Sequence, residues 1–440
     1  MSKRLGWLLG ALVLVAIGVL VACGTTYDAS SDGLVLVGSQ GSAAIQTFSF
    51  NLGSGHLSSV FNSTSSTIAS TCLLPGIPSS IVLDPAGAFA YAIVTENDVC
   101  TGSATGIMAF KVNSDGTMTA VGNPTPDPNP VALAMDAAGK FLFVAEGLDS
   151  SAQAPIPVPC PGTTTQYGVC SYAIANGALT AVPGSFTLPV EIQTPNFAAL
   201  ASTPTVFPGI GLNGVKGGVC AGTSTNPPTS EFLYLADSVN DVVLEFGVDT
   251  STGALTNPPG FSMAQVIATG SVPAGVAVDP CDRFVYVTNN QSNTISAYTI
   301  CNGLSTQNQN CPTTIAGGDG SLRAVVGSPI SLSGGGANLP GPLLVDPFGN
   351  TVYVVGTGSN TVSIFRITSV SGGLVPGSPA VVATGLRPTS IAIRSDDSWL
   401  FVTNYAAGSL SQYSITPANG SLSPQPAATT DNYPWGVAVK

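Results

Sequence analysis

The sequence predicts an all-β protein that folds as a seven-bladed β-propeller, with four antiparallel strands in each blade. Three observations lead to this prediction: a proline-led strand motif that recurs seven times, a glycine turn motif that also recurs seven times, and two incomplete repeats at the chain ends that complement each other. We name the strands of a blade A to D, from the centre of the ring outward.

The proline-led motif marks the A strand. In the clearest copies a proline begins a short apolar run that ends in an Asp-Pro or Asp-Ala turn, as in PAGVAVDP from Pro273. Three weaker copies keep the proline and the apolar run. The A strands are therefore predicted to start near residues 78, 130, 195, 273, 340, 388 and 434. The aspartates that follow them are interpreted as turn residues on one face of the ring: Asp84, Asp136, Asp279 and Asp346.

The glycine motif marks the hairpin between strands C and D. Six copies read Gly-x-Leu or Gly-x-Met, such as Gly253-Ala254-Leu255 and Gly320-Ser321-Leu322, and Gly373-Leu374 is a near copy. Glycine at this position supplies the positive φ that a tight hairpin turn requires.

Strands B and C lie between the two motifs and alternate with period two, as in FVYV at 284–287. Pro340, Pro388 and Pro434 are 48 and 46 residues apart, which is the period of a four-stranded propeller blade. Larger spacings contain insertions rich in proline, glycine and threonine, at 150–169 and 207–230, which are interpreted as loops.

The chain ends indicate how the ring closes. Residues 34–60 contain strands B, C and D without an A strand, whereas residues 434–439 form an A strand that nothing follows. Joining the two completes blade 1 and removes an open sheet edge. A solenoid is the alternative architecture, but it would need capping repeats instead of complementary half-repeats.

Composition excludes several classes of function. The chain has 440 residues, 44% hydrophobic and 8% charged, with 11 Lys+Arg against 23 Asp+Glu and a net charge of -12. So few basic residues do not provide the surface that nucleic-acid binding needs. The apolar content is sufficient for one large core. A single ring of this kind is expected to be a monomer.

The N-terminus predicts export. Lys3 and Arg4 precede an uncharged apolar run at 5–22, and Leu20-Val21-Ala22-Cys23 resembles a bacterial lipobox. We expect a lipoprotein signal peptide at 1–22, lipidation of Cys23, a tether at 23–33 and the propeller at 34–440. An uncleaved anchor helix is the alternative. The body would be held on a membrane by its lipid, facing the periplasm or the cell surface.

Eight cysteines remain beside Cys23, and an even number in an exported chain predicts four disulfides. Eight cysteines allow about 105 connectivities. Local pairing is one of them and would join Cys72 with Cys100, Cys160 with Cys170, Cys220 with Cys281, and Cys301 with Cys311. A cysteine metal site would need CxxC-type spacing or histidine partners, which this sequence lacks.

Tyr286-Val287-Thr288-Asn289 reads YVTN, and Phe401-Val402-Thr403-Asn404 is a close copy. With the A-strand pattern, these residues resemble the YVTN-repeat and lactonase-like seven-bladed propellers, the grouping that includes 6-phosphogluconolactonase. The resemblance implies the fold over about residues 34–440 and lactone hydrolysis by His, Arg and Glu side chains around a central channel. This sequence departs from that pattern, because its one histidine, His56, lies in a C–D turn away from the axis.

The candidate site is a ring of polar side chains at one mouth of the channel. Residues that end strand B include Glu146, Asp237, Asn289 and Asn404. Arg387 lies on a D–A loop, immediately before the proline that begins the next A strand. The B–C and D–A loops share one face of a propeller, so these groups could converge. Carboxylate and amide oxygens suit Ca²⁺, and a bound metal could polarise a lactone carbonyl. The alternative is that Asp and Asn simply end strands and start turns.

Two hypotheses of function follow. The first is a lipid-anchored module of the cell envelope that binds a protein or a glycan partner. The second is a lactone hydrolase, with or without a metal. No catalytic residue and no required cofactor is assigned from the sequence.

Overall fold

The computed structural model describes residues 32–60, 74, 76–96, 105–127, 129–136, 138–149, 156–157, 160–161, 168–189, 197–202, 231–301, 311, 319–332 and 338–440. These residues form strands, turns and loops, and no helix occurs among them. Within this part of the chain, therefore, no helix has the length and apolar character needed to cross a membrane. The predicted signal peptide and Cys23 lie outside the described residues.

The described residues contain 33 strands, several of them short. Those of the first half are β1 (Asp32–Ser39), β2 (Ala44–Asn51), β3 (Leu57–Val60), β4 (Ile77–Leu83), β5 (Phe89–Thr95), β6 (Gly106–Val112), β7 (Met118–Ala120), β8 (Thr125–Pro126), β9 (Pro130–Met135), β10 (Phe141–Glu146), β11 (Leu148–Asp149), β12 (Ile156–Pro157), β13 (Val169–Ala175), β14 (Ala178–Val182), β15 (Phe197–Ser202), β16 (Glu231–Asp237) and β17 (Val242–Val248). The remainder are β18 (Leu255–Thr256), β19 (Gln265–Ala268), β20 (Pro273–Val278), β21 (Phe284–Asn289), β22 (Thr294–Ile300), β23 (Leu322–Ala324), β24 (Ile330–Ser331), β25 (Pro340–Val345), β26 (Thr351–Gly356), β27 (Thr361–Ile367), β28 (Leu374–Ala383), β29 (Pro388–Ile393), β30 (Trp399–Asn404), β31 (Ser409–Thr416), β32 (Ser421–Thr429) and β33 (Pro434–Val439).

Seven antiparallel sheets form the blades, which confirms the predicted fold class. In the order A to D, the blades are β33-β1-β2-β3, β4-β5-β6-β7, β9-β10-β13-β14, β15-β16-β17-β18, β20-β21-β22-β23, β25-β26-β27-β28 and β29-β30-β31-β32. In blades 2, 4 and 5 the D strand is interrupted, and β8, β19 and β24 continue it along strand C. The pair β11-β12 is a separate two-stranded ribbon inserted between β10 and β13.

The C-terminal strand closes the ring as predicted. Val35 pairs with Val439 and Val37 with Val437 in antiparallel register, and the Lys440 backbone N–H donates to the Leu34 carbonyl oxygen at 2.8 Å. Each A strand contacts the A strands of both neighbouring blades, including β33 with β4 and β29. Blade 1 is therefore built from strands at both ends of the described chain.

The core is distributed between the blades. Seven clusters of buried apolar side chains are found among the described residues, and each is shared by two neighbouring blades. Large side chains from strand B fill these spaces, including the fully buried Tyr234, Tyr286 and Tyr353. Alternation along strand B explains the packing, because successive side chains point to opposite neighbours.

Each of these tyrosines also bonds to the next blade. Tyr234, Tyr286 and Tyr353 donate their hydroxyl hydrogens to the carbonyl oxygens of Gly320, Gly372 and Gly420, at 2.7, 3.0 and 2.8 Å. A buried phenol needs such an acceptor. The acceptors lie in the C–D turns, so the outer edge of one blade is tied to the B strand of its neighbour.

The C–D glycines are required for space as well as for conformation. Gly320 has φ 75°, and a Cβ placed there would lie 2.2 Å from the Phe232 ring of the preceding blade. The near-copy turn predicted at Gly373 has its positive φ one residue earlier, at Gly372. The blades can approach this closely only where the turn has no side chain.

The A–B turns contain a buried carboxylate pair. Asp84, Asp136, Asp279 and Asp346 accept backbone hydrogen bonds within their turns, as expected of turn residues. The fourth position of the turn has positive φ and is glycine in three blades: Gly87, Gly139 and Gly349. Blade 7 has Asp397 there instead, with φ 57°. Burial, and next the Asp346 carboxylate of blade 6, raise the pKa of Asp397 to about 8.

Two of the predicted disulfides are present. Cys160 is bonded to Cys170 and Cys301 to Cys311, each closing a loop of sequence separation 10. Cys281 is also disulfide-bonded. Cys72, Cys100 and Cys220 lie outside the described residues, so their pairings stay predictions.

Candidate functional site

The D–A loops and B–C turns meet on one face of the ring, which we call the mouth. The residue before each A-strand proline has positive φ in four blades: Val272, Leu339, Arg387 and Tyr433. The carbonyl oxygen of that residue accepts a hydrogen bond from the B–C turn of the same blade, for example from the Tyr405 N–H to Arg387 at 2.9 Å. At Val272, Leu339 and Arg387 the N–H donates to a side chain of the preceding blade, as from Arg387 to Asn360 Oδ1 at 2.7 Å. The backbone at Arg387 is therefore fixed from both sides.

Three of the predicted mouth residues bond within their own blades. Asn289 Nδ2 donates to Thr294 and Ser296 on strand C, and Asn404 Nδ2 donates in the same way to Ser409 and Ser411. Asp237 accepts backbone N–H groups of its own B–C turn. All three side chains are buried. The convergence of these residues on one bound ion stays a prediction.

Glu146, the fourth predicted residue, lies in a buried acid pair with Asp127, which sequence reasoning missed. Their exposed fractions are 2% and 1%. Tyr172 donates its hydroxyl hydrogen to Asp127 Oδ2 at 2.5 Å, and the Asn129 N–H donates to Glu146 Oε2 at 3.2 Å. Burial, and then the neighbouring Asp127, raise the pKa of Glu146. Burial also raises the pKa of Asp127, while Glu146 and Tyr172 lower it. Burial of both carboxyls therefore favours a protonated form of the pair.

The same pair is part of the one group of three potential metal ligands found among the described residues, with Cys170 as the third. Cys170 is bonded to Cys160 and offers no thiolate. Two carboxyls, of which Asp127 already accepts a hydrogen bond from Tyr172, fall short of the six to eight oxygen ligands that Ca²⁺ takes. These residues do not fit the metal site suggested by the sequence, and we derive no metal-assisted step from them.

Arg387, the fifth predicted residue, belongs to an exposed aromatic cluster at the mouth, where blades 7 and 1 meet. Its guanidinium carbon lies 4.9 Å from the centre of the Tyr405 ring. Tyr405 lies 5.0 Å from Tyr433 and contacts Trp435 edge-to-face at 5.5 Å, between ring centres. Arg387 is exposed and Tyr433 is 50% exposed, while Tyr405 and Trp435 are half-buried. We call these four residues the Arg387 cluster.

The positions of the aromatic residues in the sequence carry a signal for this cluster. Tyr405 follows the VTN motif of blade 7, and Tyr433 and Trp435 flank the A-strand proline of blade 1. All three are thus in B–C or D–A positions, beside a predicted site residue. Aromatic rings beside a guanidinium provide flat apolar faces together with hydrogen-bond donors for an anion or a hydroxyl.

His56 lies far from this arrangement. It is exposed in the C–D turn of blade 1, where its Nδ1 is 3.3 Å from Ser58 Oγ. The C–D turns are on the face opposite the mouth. The histidine that the resemblance to lactonase-like propellers implies therefore has no counterpart at the mouth.

Comparisons with known proteins agree with the fold. Residues 328–438 match the family model "Lactonase, 7-bladed beta-propeller", and no curated protein sequence matches the chain significantly. A periplasmic gluconolactonase of Pseudomonas aeruginosa superposes with TM-score 0.63 at 15% identity, covering 93% of this chain and 99% of that one. A Bacteroides uniformis protein, provisionally assigned as a 6-phosphogluconolactonase, superposes with TM-score 0.63 at 18% identity, covering 93% and 100%. A Bacteroides fragilis protein with the same provisional assignment gives TM-score 0.61 at 18% identity, covering 93% and 98%. At these identities the likeness concerns the fold.

Proposed function

We propose that the protein hydrolyses the lactone of a sugar acid, with the substrate bound at the Arg387 cluster. One observation carries the proposal: residues 328–438, which match the lactonase propeller model, include all four residues of the cluster. The exposed aromatic surface of the mouth therefore lies within the matched segment.

The chemistry of the cluster suits a sugar lactone. The half-exposed ring of Tyr433 offers a face for the C–H groups of a sugar, and Tyr405 is held against it. The Arg387 guanidinium has five N–H donors and a permanent charge. When water attacks the lactone carbonyl carbon, the carbonyl oxygen becomes an oxyanion that a guanidinium stabilises. The ring C–O bond then breaks, the leaving oxygen takes a proton, and a hydroxy acid is released.

A second candidate is binding of a glycan or protein partner without turnover. The observation that favours it is the exposed apolar rim of the mouth, where Val239, Leu339 and Leu386 are 53%, 44% and 59% exposed.

Purified protein separates the two candidates in a pH-stat assay over a panel of aldonolactones, with the uncatalysed rate subtracted. We expect acid release above background, and Arg387→Ala to lower kcat/KM by about tenfold or more, the usual effect of losing one oxyanion donor being on the order of 10²–10³. Arg366, exposed on β27, provides the matched control, and Arg366→Ala should leave the rate unchanged. A flat panel with saturable, Arg387-dependent sugar binding would favour the second candidate. A flat panel without saturable sugar binding would refute both lactone hydrolysis and sugar binding at the mouth.

For location, we propose export and lipid attachment at Cys23. The two disulfides within the described residues support an oxidising compartment. Metabolic labelling with a radioactive fatty acid tests the attachment, and Cys23→Ala should abolish the label. Label that persists in this variant would refute it.

A further inference from the structure

A cavity unrelated to the mouth opens at the outer edge of the ring, between blades 4 and 5. Its volume is 210 Å³, and residues of β17, β19 and β23 line it. At about 30 Å³ for each water molecule, this is room for about seven waters. Such a space accommodates a small metabolite and is below the range of drug-sized pockets.

A buried carboxyl lines this cavity. Glu245 lies on β17, is 3% exposed, and its Oε1 has no hydrogen-bond partner. The neighbouring positions on the same side of β17 are Val243, which packs in the apolar cluster between blades 4 and 5, and Gly247. Burial, and next the Asp319 carboxylate, raise the pKa of Glu245, while Arg323 lowers it. An unpaired acid at a core position is costly, and a bound cation would remove that cost.

A guanidinium with free donors lines the same cavity. Arg323, on β23 of blade 5, donates from Nη1 to the Leu322 carbonyl oxygen at 3.1 Å. Among the described residues, Arg323 and Glu245 do not form an ion pair within 4.0 Å of each other. Asp319 is occupied by the Ser321 N–H and hydroxyl. Arg323 therefore keeps N–H donors for an anion.

The rest of the wall is apolar and partly open. Phe261 and Val266 line the cavity and are 36% and 37% exposed. Large side chains of this kind at the edge of a cavity favour an apolar group in the ligand. The cavity thus combines one carboxyl group, one guanidinium group and an apolar surface within a small volume.

We propose that this cavity binds a free α-amino acid with an apolar side chain, the ammonium at Glu245, the carboxylate at Arg323 and the side chain against Phe261 and Val266. Leucine, methionine and phenylalanine have the required size and both charges. The site is independent of the mouth and of the proposed lactone hydrolysis.

Isothermal titration calorimetry with L-phenylalanine, phenethylamine and 3-phenylpropionate tests the proposal, because the last two compounds each lack one charge. We expect L-phenylalanine to bind most tightly. Glu245→Gln should weaken phenylalanine and phenethylamine by about tenfold or more and leave phenylpropionate unchanged. Arg323→Gln should weaken phenylalanine and phenylpropionate instead.

Thermal unfolding of each variant verifies that it is folded, and Arg387→Ala serves as the matched control that should bind phenylalanine normally. The proposal is overturned if the wild-type protein gives no saturable heat with any of the three probes at millimolar concentration. It is equally overturned if Glu245→Gln and Arg323→Gln, both folded, bind phenylalanine as the wild type does. Glu245→Gln should keep full lactone hydrolysis, so failure of either proposal is visible without the other.

Discussion

Replacing Asp397 with asparagine is expected to stabilise the protein at pH 8. Asp397 is 2% exposed and its Oδ1 has no hydrogen-bond partner. Burial and the Asp346 carboxylate raise its pKa from 3.8 to about 8. Between these values the folded state holds a proton that the unfolded chain has lost. The contribution of this group to stability is therefore fully present below pH 3.8 and is lost as the pH rises through about 8.

The magnitude follows from the two pKa values. At 1.36 kcal/mol for each pKa unit, the difference corresponds to roughly 6 kcal/mol at high pH. Small movements of the turn and the effective dielectric of a protein reduce such a cost, so we take about half, ~3 kcal/mol. With an unfolding entropy of about 2.1 cal/mol/K per residue, this raises the thermal midpoint by about 3 °C. Asp397→Gly, which also restores the residue used at this position in blades 2, 3 and 6, should stabilise as well.

The assay is the thermal midpoint from pH 4 to 9 by circular dichroism. The midpoint of Asp397→Asn should exceed that of the wild type at pH 8, and the difference should disappear near pH 4. Asp115→Asn is the matched control: Asp115 is an exposed turn carboxylate whose pKa is lowered by hydrogen bonds from Thr117, so its substitution should produce no gain at high pH. A loss of stability in Asp397→Asn at pH 8, or a gain that does not change with pH, would refute the reasoning.

Three further predictions concern the ring. Gly320→Ala should destabilise the protein by about 3 kcal/mol, since a Cβ there overlaps the Phe232 ring and φ is positive; a denaturation midpoint equal to that of the wild type would contradict this. Deleting residues 434–440 removes β33 and should abolish cooperative unfolding in calorimetry, while a single sharp transition would argue against closure as a requirement. Glu146→Gln should differ least from the wild type at or below pH 4.5 and should become the more stable protein as the pH rises from there toward the raised folded pKa of Glu146, because over this range the folded wild type holds a proton that its unfolded chain has lost; an equal change of both proteins in a melting series over this range would disprove it.

The blade architecture could be predicted because it repeats. The structure starts the A strands at Ile77, Pro130, Phe197, Pro273, Pro340, Pro388 and Pro434, against predicted starts near 78, 130, 195, 273, 340, 388 and 434. In four blades the residue before this proline has positive φ, and the chain turns there from the D–A loop into the A strand. The interruption of strand D in blades 2, 4 and 5 was not predicted, since it depends on pairing with strand C and leaves no mark in the alternation.

The candidate site was less accessible from the sequence. Arg387 was placed correctly on a D–A loop, but the rings that accompany it come from two blades joined only by ring closure. Asn289 and Asn404 end their B strands as the repeat register indicated. Their amides nevertheless turn to strand C, because a partner hydroxyl lies two residues further along the pairing strand. The acid pair was missed because Asp127 belongs to a connection that carries no repeat signal.

The closure of the ring also places both ends of the described chain on one face, the face opposite the mouth. Strand β1 begins at Asp32 on the face of the A–B and C–D turns, and β33 ends beside it, where the Lys440 N–H meets Leu34. Asp32 and Lys440 therefore lie on the face opposite the Arg387 cluster, and neither end of the described chain obstructs a molecule that approaches the mouth.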